Sequence, residues 1–400
     1  MRVVIDIDGR YDRTPDGAVW AKSGCLYDYW TRFLEVFDSV RLVARVREVA
    51  CVPPEMRRVD GQNVEFAAIP HYAGLLEYAA KLPWVRRAAR SAFEWGDAIV
   101  LCGGPVSGIM YARLRKEGYP YAVRVVGDPH DVFAPGAVVH PLRPLFQWWA
   151  PRLLRRLCSQ AGAATYVTER KLQAGYPCPG YSVGVSDVDL PPTAFADGPR
   201  APRPGLRKIR AVTVGSLAQL YKAPDVLIDA TAECVRGGLD LELVLCGDGR
   251  HLSELRLRAS ARGLDGRVQF TGQLPREAVF EELDRANLFV LPSRQEGLPR
   301  AMVEAMARAL PCIGSDVGGI PELLPPEDLV RPDDPHALAA KIREIASNPE
   351  RMAAMSIRNL RRAADFRADV LHDKWLEFYR YVRDRTEEWL KANGQSGSFT

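Results

Sequence analysis

Two glutamates separated by seven residues, Glu296 and Glu304, stand in the run RQEGLPRAMVEAMARALPCIGSDVGGIPELL. The preceding NLFVLPS (287–293) reads as a strand, and a helix is predicted to start near Pro299, a favoured first-turn residue. The start of such a helix offers unsatisfied N–H groups and the positive end of a dipole, which suits a diphosphate. Pro299 has no N–H, so Gly297, Leu298 and Arg300 are the candidate backbone donors. On the first turns of that helix, Glu304 could accept both hydroxyls of a ribose. Glu296, just outside it, could hold sugar hydroxyls near a reacting carbon. Alone, the pair is equally explained as two exposed glutamates; the neighbouring motifs tip the balance toward chemistry.

The next motif is VGSLAQLYKAPDVLIDA, where a strand at 211–214 delivers Gly215 and Ser216, and Lys222 precedes a helix that begins at Pro224. A lysine there sets a cation beside bound phosphates, where it offsets charge developing on a leaving diphosphate. Without an anion a cation is unfavourable at that helix pole, which argues for a ligand. CGDGR (246–250) follows a strand and on its own is only a good turn. SDVGGIPELL supplies Gly318 and Gly319 in a turn before a short helix, and GDPHDVF sets His130 after a strand.

Taken together these passages resemble the retaining nucleotide-sugar glycosyltransferases of the GT-B fold known as glycosyltransferase family 4, most specifically over residues 209–324. The resemblance implies that Glu304 binds the ribose and Glu296 the transferred sugar. It implies that the GDG turn shapes the cleft, and that the backbone at Gly272 and Gln273 meets the base. It also brings Gly318 and Gly319 near the sugar diphosphate and His130 near donor and acceptor sugars. His130, Glu296 and Lys222 are then the expected catalytic residues. The remaining donor-site residues are Gly24, Gly215, Ser216, Gly272, Gln273, Gly297, Leu298, Arg300, Glu304, Gly318 and Gly319. Two positions depart from the family pattern. Ser216 stands where an arginine is usual, so one phosphate cation is missing or comes from elsewhere, with Lys22 and Arg10 as candidates. The family also has paired glycines where Ser23 and Gly24 stand; only Gly24 remains, and the loop from Gly9 to Ser23 is unusually polar.

Those residues need elements to position them. β-branched runs at 3–8, 39–46, 63–69, 97–103, 121–127 and 163–168 alternate with helix-like intervals, and the alternation restarts after residue 207. That pattern predicts an α/β protein of two successive units, their open sheets facing a cleft, and the resemblance implies the GT-B fold with two Rossmann-like domains. The Pro- and Gly-rich stretch 191–207 reads as the linker. The resemblance implies an acceptor-binding domain at 1–195, a donor-binding domain at 205–370 and a final helix at 371–392 crossing back to the first. GQSGSFT at the end reads as disordered.

Composition sets outer limits. With 400 residues, 47% apolar and 26% charged, the chain is an ordinary globular protein of two domains. No stretch is long and apolar enough to span a bilayer, and MRVVIDIDGR is no signal peptide. Eight scattered cysteines have no zinc spacing, so neither a metal nor a disulfide framework is expected. Residues 1–200 hold 25 basic and 21 acidic side chains, and no dense basic block points to nucleic acid. The run PLFQWWAPRLLRRLCSQ (144–160) fits either a membrane-surface element or a core helix with a basic face, and Pro151 favours the latter.

The expected activity is retaining transfer of a hexosyl or N-acetylhexosaminyl group from a nucleotide diphosphate sugar, a UDP-sugar by expectation, to an acceptor hydroxyl. The acceptor is expected to be a soluble small molecule or natural-product intermediate, and the location cytoplasmic. The alternatives are a lipid-linked glycan acceptor with peripheral contact at the inner membrane face, a nucleotide-sugar epimerase, or a non-catalytic binding subunit. No cofactor beyond the donor itself is expected.

Overall fold

The computed structural model describes residues 1–22, 24–133, 141–188, 190–202, 205 and 208–394. Predicted features at Ser23, within the 191–207 linker and in the last six residues fall partly or wholly outside them. The chain divides into two units. One comprises Met1–Val126, Trp148–Val185 and the segment from Asp373 onward; the other comprises Gly127–Gln147 and Ser186–His372.

In the first unit the described residues form nine strands: β1 (Arg2–Arg13), β2 (Val19–Ala21), β3 (Ser39–Glu48), β4 (Arg57–Arg58), β5 (Val64–Pro70), β6 (Ala98–Leu101), β7 (Ala122–Val125), β8 (Ala163–Tyr166) and β9 (Tyr181–Gly184). Seven of them pair in parallel in the order β5-β3-β1-β6-β7-β8-β9. β6 and β8 are buried along their whole length, as parallel strands covered on both faces must be. The segment from Asp373 onward packs aromatic side chains within this unit: the Tyr379 ring lies tilted at 4.4 Å from that of Phe33, and Trp389 lies 4.7 Å from Tyr119.

One expectation fails here. The stretch from Gly9 to Ala21 is not an open loop. β1 continues to Arg13, turns back through Thr14–Ala18, and returns antiparallel as β2. Its register against β3 shifts between Asp6 and Arg10, then resumes to Arg13 opposite Glu48. The extension is a ladder of charges, with Arg47 donating two hydrogen bonds to Asp12 at 2.9 and 3.0 Å. A polar strand of this kind has no hydrophobic alternation by which to recognise it.

The second unit contains β10 (Lys208–Val214), β11 (Asp240–Cys246), β12 (Val268–Gly272), β13 (Leu288–Leu291), β14 (Cys312–Ser315) and β15 (Leu329–Val330), all parallel in the order β12-β11-β10-β13-β14-β15. The chain builds outward from β10 in one direction, then crosses to β13 and builds the other way. β10 and β13 therefore flank the point where strand order reverses, and loops leaving their carboxyl ends diverge to leave a crevice. Leu288, Phe289, Val290 and Leu291 are fully buried, each burial stabilising the fold by roughly 1.5–3 kcal/mol.

Arg200 fixes the rear of this unit. Its guanidinium donates to the carbonyls of Leu283 and Arg308, at 2.9 and 3.1–3.2 Å, and to that of Ala286. Those carbonyls end the helices Arg276–Arg285 and Arg300–Ala307, where a cation complements the dipole.

Candidate active site

Both halves of the candidate site hang from the reversal point. β10 delivers Gly215, whose N–H donates to the Cys246 carbonyl at 2.9 Å. A Cβ on Gly215 would lie 3.1 Å from Lys222 Cγ, so the missing side chain lets the lysine stem lie against the backbone. Lys222 closes a short 3-10 turn, Leu220–Lys222. Ala223 follows in the left-handed region (φ 51°, ψ 46°), fully buried, before the helix Pro224–Arg236. A left-handed alanine costs about 1–2 kcal/mol, so something must hold the turn.

That restraint is Arg294, on the loop after β13. Its N–H donates to the Tyr221 carbonyl at 2.7 Å and Nη1 to the Leu220 carbonyl at 2.5 Å. Its guanidinium grips Asp225 at 2.9 and 2.8 Å, and Nε reaches Asp333 at 2.7 Å. A planar fork can satisfy this set; an ammonium cannot.

The same loop brings Glu296 to Lys222. Lys222 Nζ donates to Glu296 Oε1 at 2.6 Å, and Ser293 Oγ donates to the same oxygen at 2.7 Å. Ser315 Oγ, on β14, in turn holds the Ser293 carbonyl at 2.5 Å. The two charged side chains are 15% and 6% exposed. Glu296 Oε2 accepts no hydrogen bond among the described residues. Glu296 thus supplies an anion beside Lys222 from within the protein, so the unfavourable helix pole does not by itself argue for a ligand.

Gly318 and Gly319 press this loop from the far side. Gly319 N–H donates to the Gly297 carbonyl at 2.7 Å. Gly318 sits at φ 53°, and a Cβ there would fall 2.0 Å from the Glu296 carbonyl oxygen. The N–H groups of Gly297 and Leu298 make no hydrogen bond among the described residues. The helix starts at Arg300, with Pro299 as its cap residue, and carries Glu304. Glu304 is half-buried and accepts no hydrogen bond among the described residues. Burial raises its pKa above the ordinary glutamate value, against the pull of Arg276 and Arg300.

The GDG turn lies against the Gly215 loop. Leu217 N–H donates to the Asp248 carbonyl at 2.9 Å, and side chains at Gly247 or Gly249 would collide with backbone of residues 215–218. Ser216 is exposed, its hydroxyl accepting from Ala218 N–H at 3.2 Å. The Gly272 carbonyl accepts from Gly247 N–H at 2.9 Å and from Thr271 Oγ1 at 3.0 Å, which ties the end of β12 to the GDG turn. Gln273 beyond it is exposed.

The structure thus gathers Gly215, Ser216, Lys222, Glu296, Gly297, Leu298, Gly318 and Gly319, with Arg300 and Glu304 on the adjoining helix. Gly24 belongs to the first unit, exposed at φ 105° with open space around it. His130 lies in the short helix Pro129–Val132, within the segment Gly127–Gln147 that groups with the second unit. Its ring sits 3.5 Å from Asp131 Oδ1 and 3.3 Å from Gln147 Nε2 and is 59% exposed. Ser293, Arg294 and Gln147 were not singled out from sequence; only the position of Ser293 and Arg294, directly after a strand and before Glu296, offered a signal. No group of three or more His, Cys, Asp or Glu side chains is arranged to hold a metal among the described residues.

Comparison with known proteins agrees with this geometry. Residues 200–362 match the model of the glycosyl transferases group 1 family. The chain is 26% identical over 315 residues to protein CapJ of Staphylococcus aureus, covering 78% of each chain. It is 26% identical over 301 residues to the 2-deoxystreptamine glucosyltransferase of Streptomyces kanamyceticus, covering 72% of this chain and 75% of that one. HepE of Anabaena, solved in complex with UDP, superposes with a TM-score of 0.61 at 16% identity, over 94% of this chain and 99% of that one, which shows a shared fold. With two Rossmann-like units of the GT-B fold and this matched segment, the chain is a glycosyltransferase of the GT-B superfamily, taking a sugar from a nucleotide diphosphate donor to an acceptor.

Proposed function

We propose that this protein is a retaining transferase of glycosyltransferase family 4. It moves a hexosyl or N-acetylhexosaminyl group from a nucleotide diphosphate sugar, preferentially a UDP-sugar, to an acceptor hydroxyl. The observation that carries the reading is the Lys222–Glu296 pair beside the unpartnered N–H groups of Gly297 and Leu298, at the reversal point of the second sheet. In this reading the diphosphate takes the N–H groups of Gly297, Leu298 and Arg300 together with Lys222. Glu304 accepts the ribose hydroxyls, and Glu296 those of the sugar through the oxygen left open. The acceptor oxygen attacks the anomeric carbon as the bond to phosphate breaks, and the departing diphosphate takes the acceptor's proton. Catalysis is then positioning plus neutralisation of the departing charge by Lys222 and the helix start. His130, oriented by Gln147 and Asp131, would steady the reacting sugar by a hydrogen bond.

A UDP-sugar is supported by the likeness in fold to HepE, which binds UDP. A soluble aminocyclitol acceptor is supported by the resemblance to the 2-deoxystreptamine glucosyltransferase. A lipid-linked acceptor is the second reading, favoured by a cationic helical face described below, and a cytoplasmic site of action fits both. The test is incubation with UDP-glucose, UDP-N-acetylglucosamine and GDP-mannose, each with an aminocyclitol, followed by NMR of the product. An α-configured glycoside from an α-linked donor supports the reading. A β-configured product contradicts retention, and donor converted to its epimeric nucleotide sugar without acceptor makes the protein an epimerase.

A further inference from the structure

In the first unit three helical segments lie side by side over one face of the sheet: Gly74–Ser91, Pro105–Lys116, and Arg143–Cys158 from Trp148 onward. Leu153 of the third segment lies 3.5 Å from where a Cβ on Gly108 of the second would be, and Pro83, Arg86, Arg87 and Arg90 of the first share an open groove of about 740 Å³ with Arg113 of the second. Their charge is one-sided. These segments hold ten basic residues and one acid, Glu77. Residues 1–200 as a whole hold 25 and 21, so outside this layer acids outnumber bases.

Few of these cations are neutralised. Arg86, Arg87, Arg90 and Arg115 are exposed and their side chains form no ion pair or hydrogen bond among the described residues. Elsewhere arginines such as Arg47, Arg258 and Arg294 are held by carboxylates. Large apolar side chains stand among the free cations: Leu76 is 89% exposed, Trp84 62% and Trp148 55%. Three helices at 8–10 Å spacing make a face on the order of 20 Å across, wider than a single bound peptide. Exposed tryptophan and leucine among arginines is the pattern of a surface that meets lipid headgroups, the rings entering the interface while guanidinium groups meet phosphates.

We propose that this helical layer docks the protein on an anionic lipid bilayer. The attachment is peripheral, since no helix among the described residues is long and apolar enough to cross a membrane. The inference is independent of the catalytic reading.

The test is co-sedimentation of the full chain with vesicles of phosphatidylcholine alone and of phosphatidylcholine with phosphatidylglycerol, at low and high salt. The same assay is run on Arg86→Glu/Arg87→Glu and, separately, on Leu76→Ser/Trp84→Ser, with soluble polyglutamate as competitor and melting curves as the check of folding. All four positions are exposed, so the variants are expected to melt as the parent does. The proposal expects binding to the anionic vesicles alone, weakened by salt, and about tenfold or more weaker in the charge-reversal variant. Absence of vesicle binding, equal binding to neutral vesicles, or unchanged binding in both variants overturns it. Polyglutamate bound as tightly as the vesicles would also overturn it, in favour of an acidic protein partner.

Discussion

Lys222 Nζ and Glu296 Oε1 stand 2.6 Å apart, so the cation proposed to meet the diphosphate and the carboxylate proposed to hold the sugar form an ion pair. A bound diphosphate would compete for the lysine and leave Glu296 held by Ser293 alone, at 2.7 Å. Ser293→Ala should therefore lower kcat while leaving UDP affinity within about twofold, because the serine orients the carboxylate and does not touch phosphate. Steady-state kinetics with UDP titrations distinguish this from general destabilisation, which would move both.

Arg294 positions Lys222 by holding the Leu220 and Tyr221 carbonyls and Asp225. Arg294→Lys keeps the charge and loses the fork. Nucleotide affinity should fall roughly tenfold, about 1.4 kcal/mol. Unchanged affinity in calorimetry would remove Arg294 from the account.

Glu304 must be ionised to accept ribose hydroxyls, and burial holds its pKa above the ordinary glutamate value. Donor affinity should be full above that raised pKa and decline as pH falls through it, sooner than an exposed glutamate would allow. In Glu304→Gln the affinity should be lower throughout and this dependence should vanish. A pH profile identical in parent and variant would count against the ribose role.

Gly318 leaves no room for a side chain, with a Cβ position 2.0 Å from the Glu296 carbonyl and φ at 53°. Gly318→Ala should destabilise by more than about 1 kcal/mol, lowering the melting temperature by several degrees. It should also weaken donor binding, because the loop bearing Glu296 must move. A variant that melts and binds like the parent would show that the turn yields freely.

In the first unit, Asp6 is buried at the end of the paired half of β1 and accepts a hydrogen bond from Ser107 Oγ. Burial pushes its pKa up to about 7 from an ordinary 3.8, with Ser107 opposing. Between those values the folded state binds more protons than the unfolded one, so stability falls as pH rises through the window and levels above it. Asp6→Asn keeps an acceptor for Ser107 without the charge. It should melt higher than the parent at about pH 8, with the gap closing toward about pH 4. A gap independent of pH would contradict the assignment.

The second unit was the more legible in sequence, and the reason is physical. Its strands are apolar runs such as LVLC and LFVL, buried on both faces, and its loops carry glycines that the backbone demands at Gly247, Gly249 and Gly318. Gly215, Lys222, Glu296 and Glu304 could be placed because each sits at a fixed offset from a strand end. Ser293 and Arg294 could not, since their roles depend on contacts with residues 220–225 and 315, far off in sequence. Residues 9–21 were misread because a strand paired through charges looks like a polar loop. The fate of the Gly272 carbonyl was likewise invisible until the GDG turn was seen to occupy it.

The central claim is that the second unit binds a nucleotide diphosphate at Lys222. Calorimetric titration with UDP, GDP, ADP and dTDP, repeated on Lys222→Ala, tests it most directly. Saturable one-site binding is expected, tightest for UDP and weakened about tenfold or more by the substitution (about 1.4 kcal/mol). No binding of any of the four by the parent protein, or binding that Lys222→Ala leaves unchanged, would contradict it.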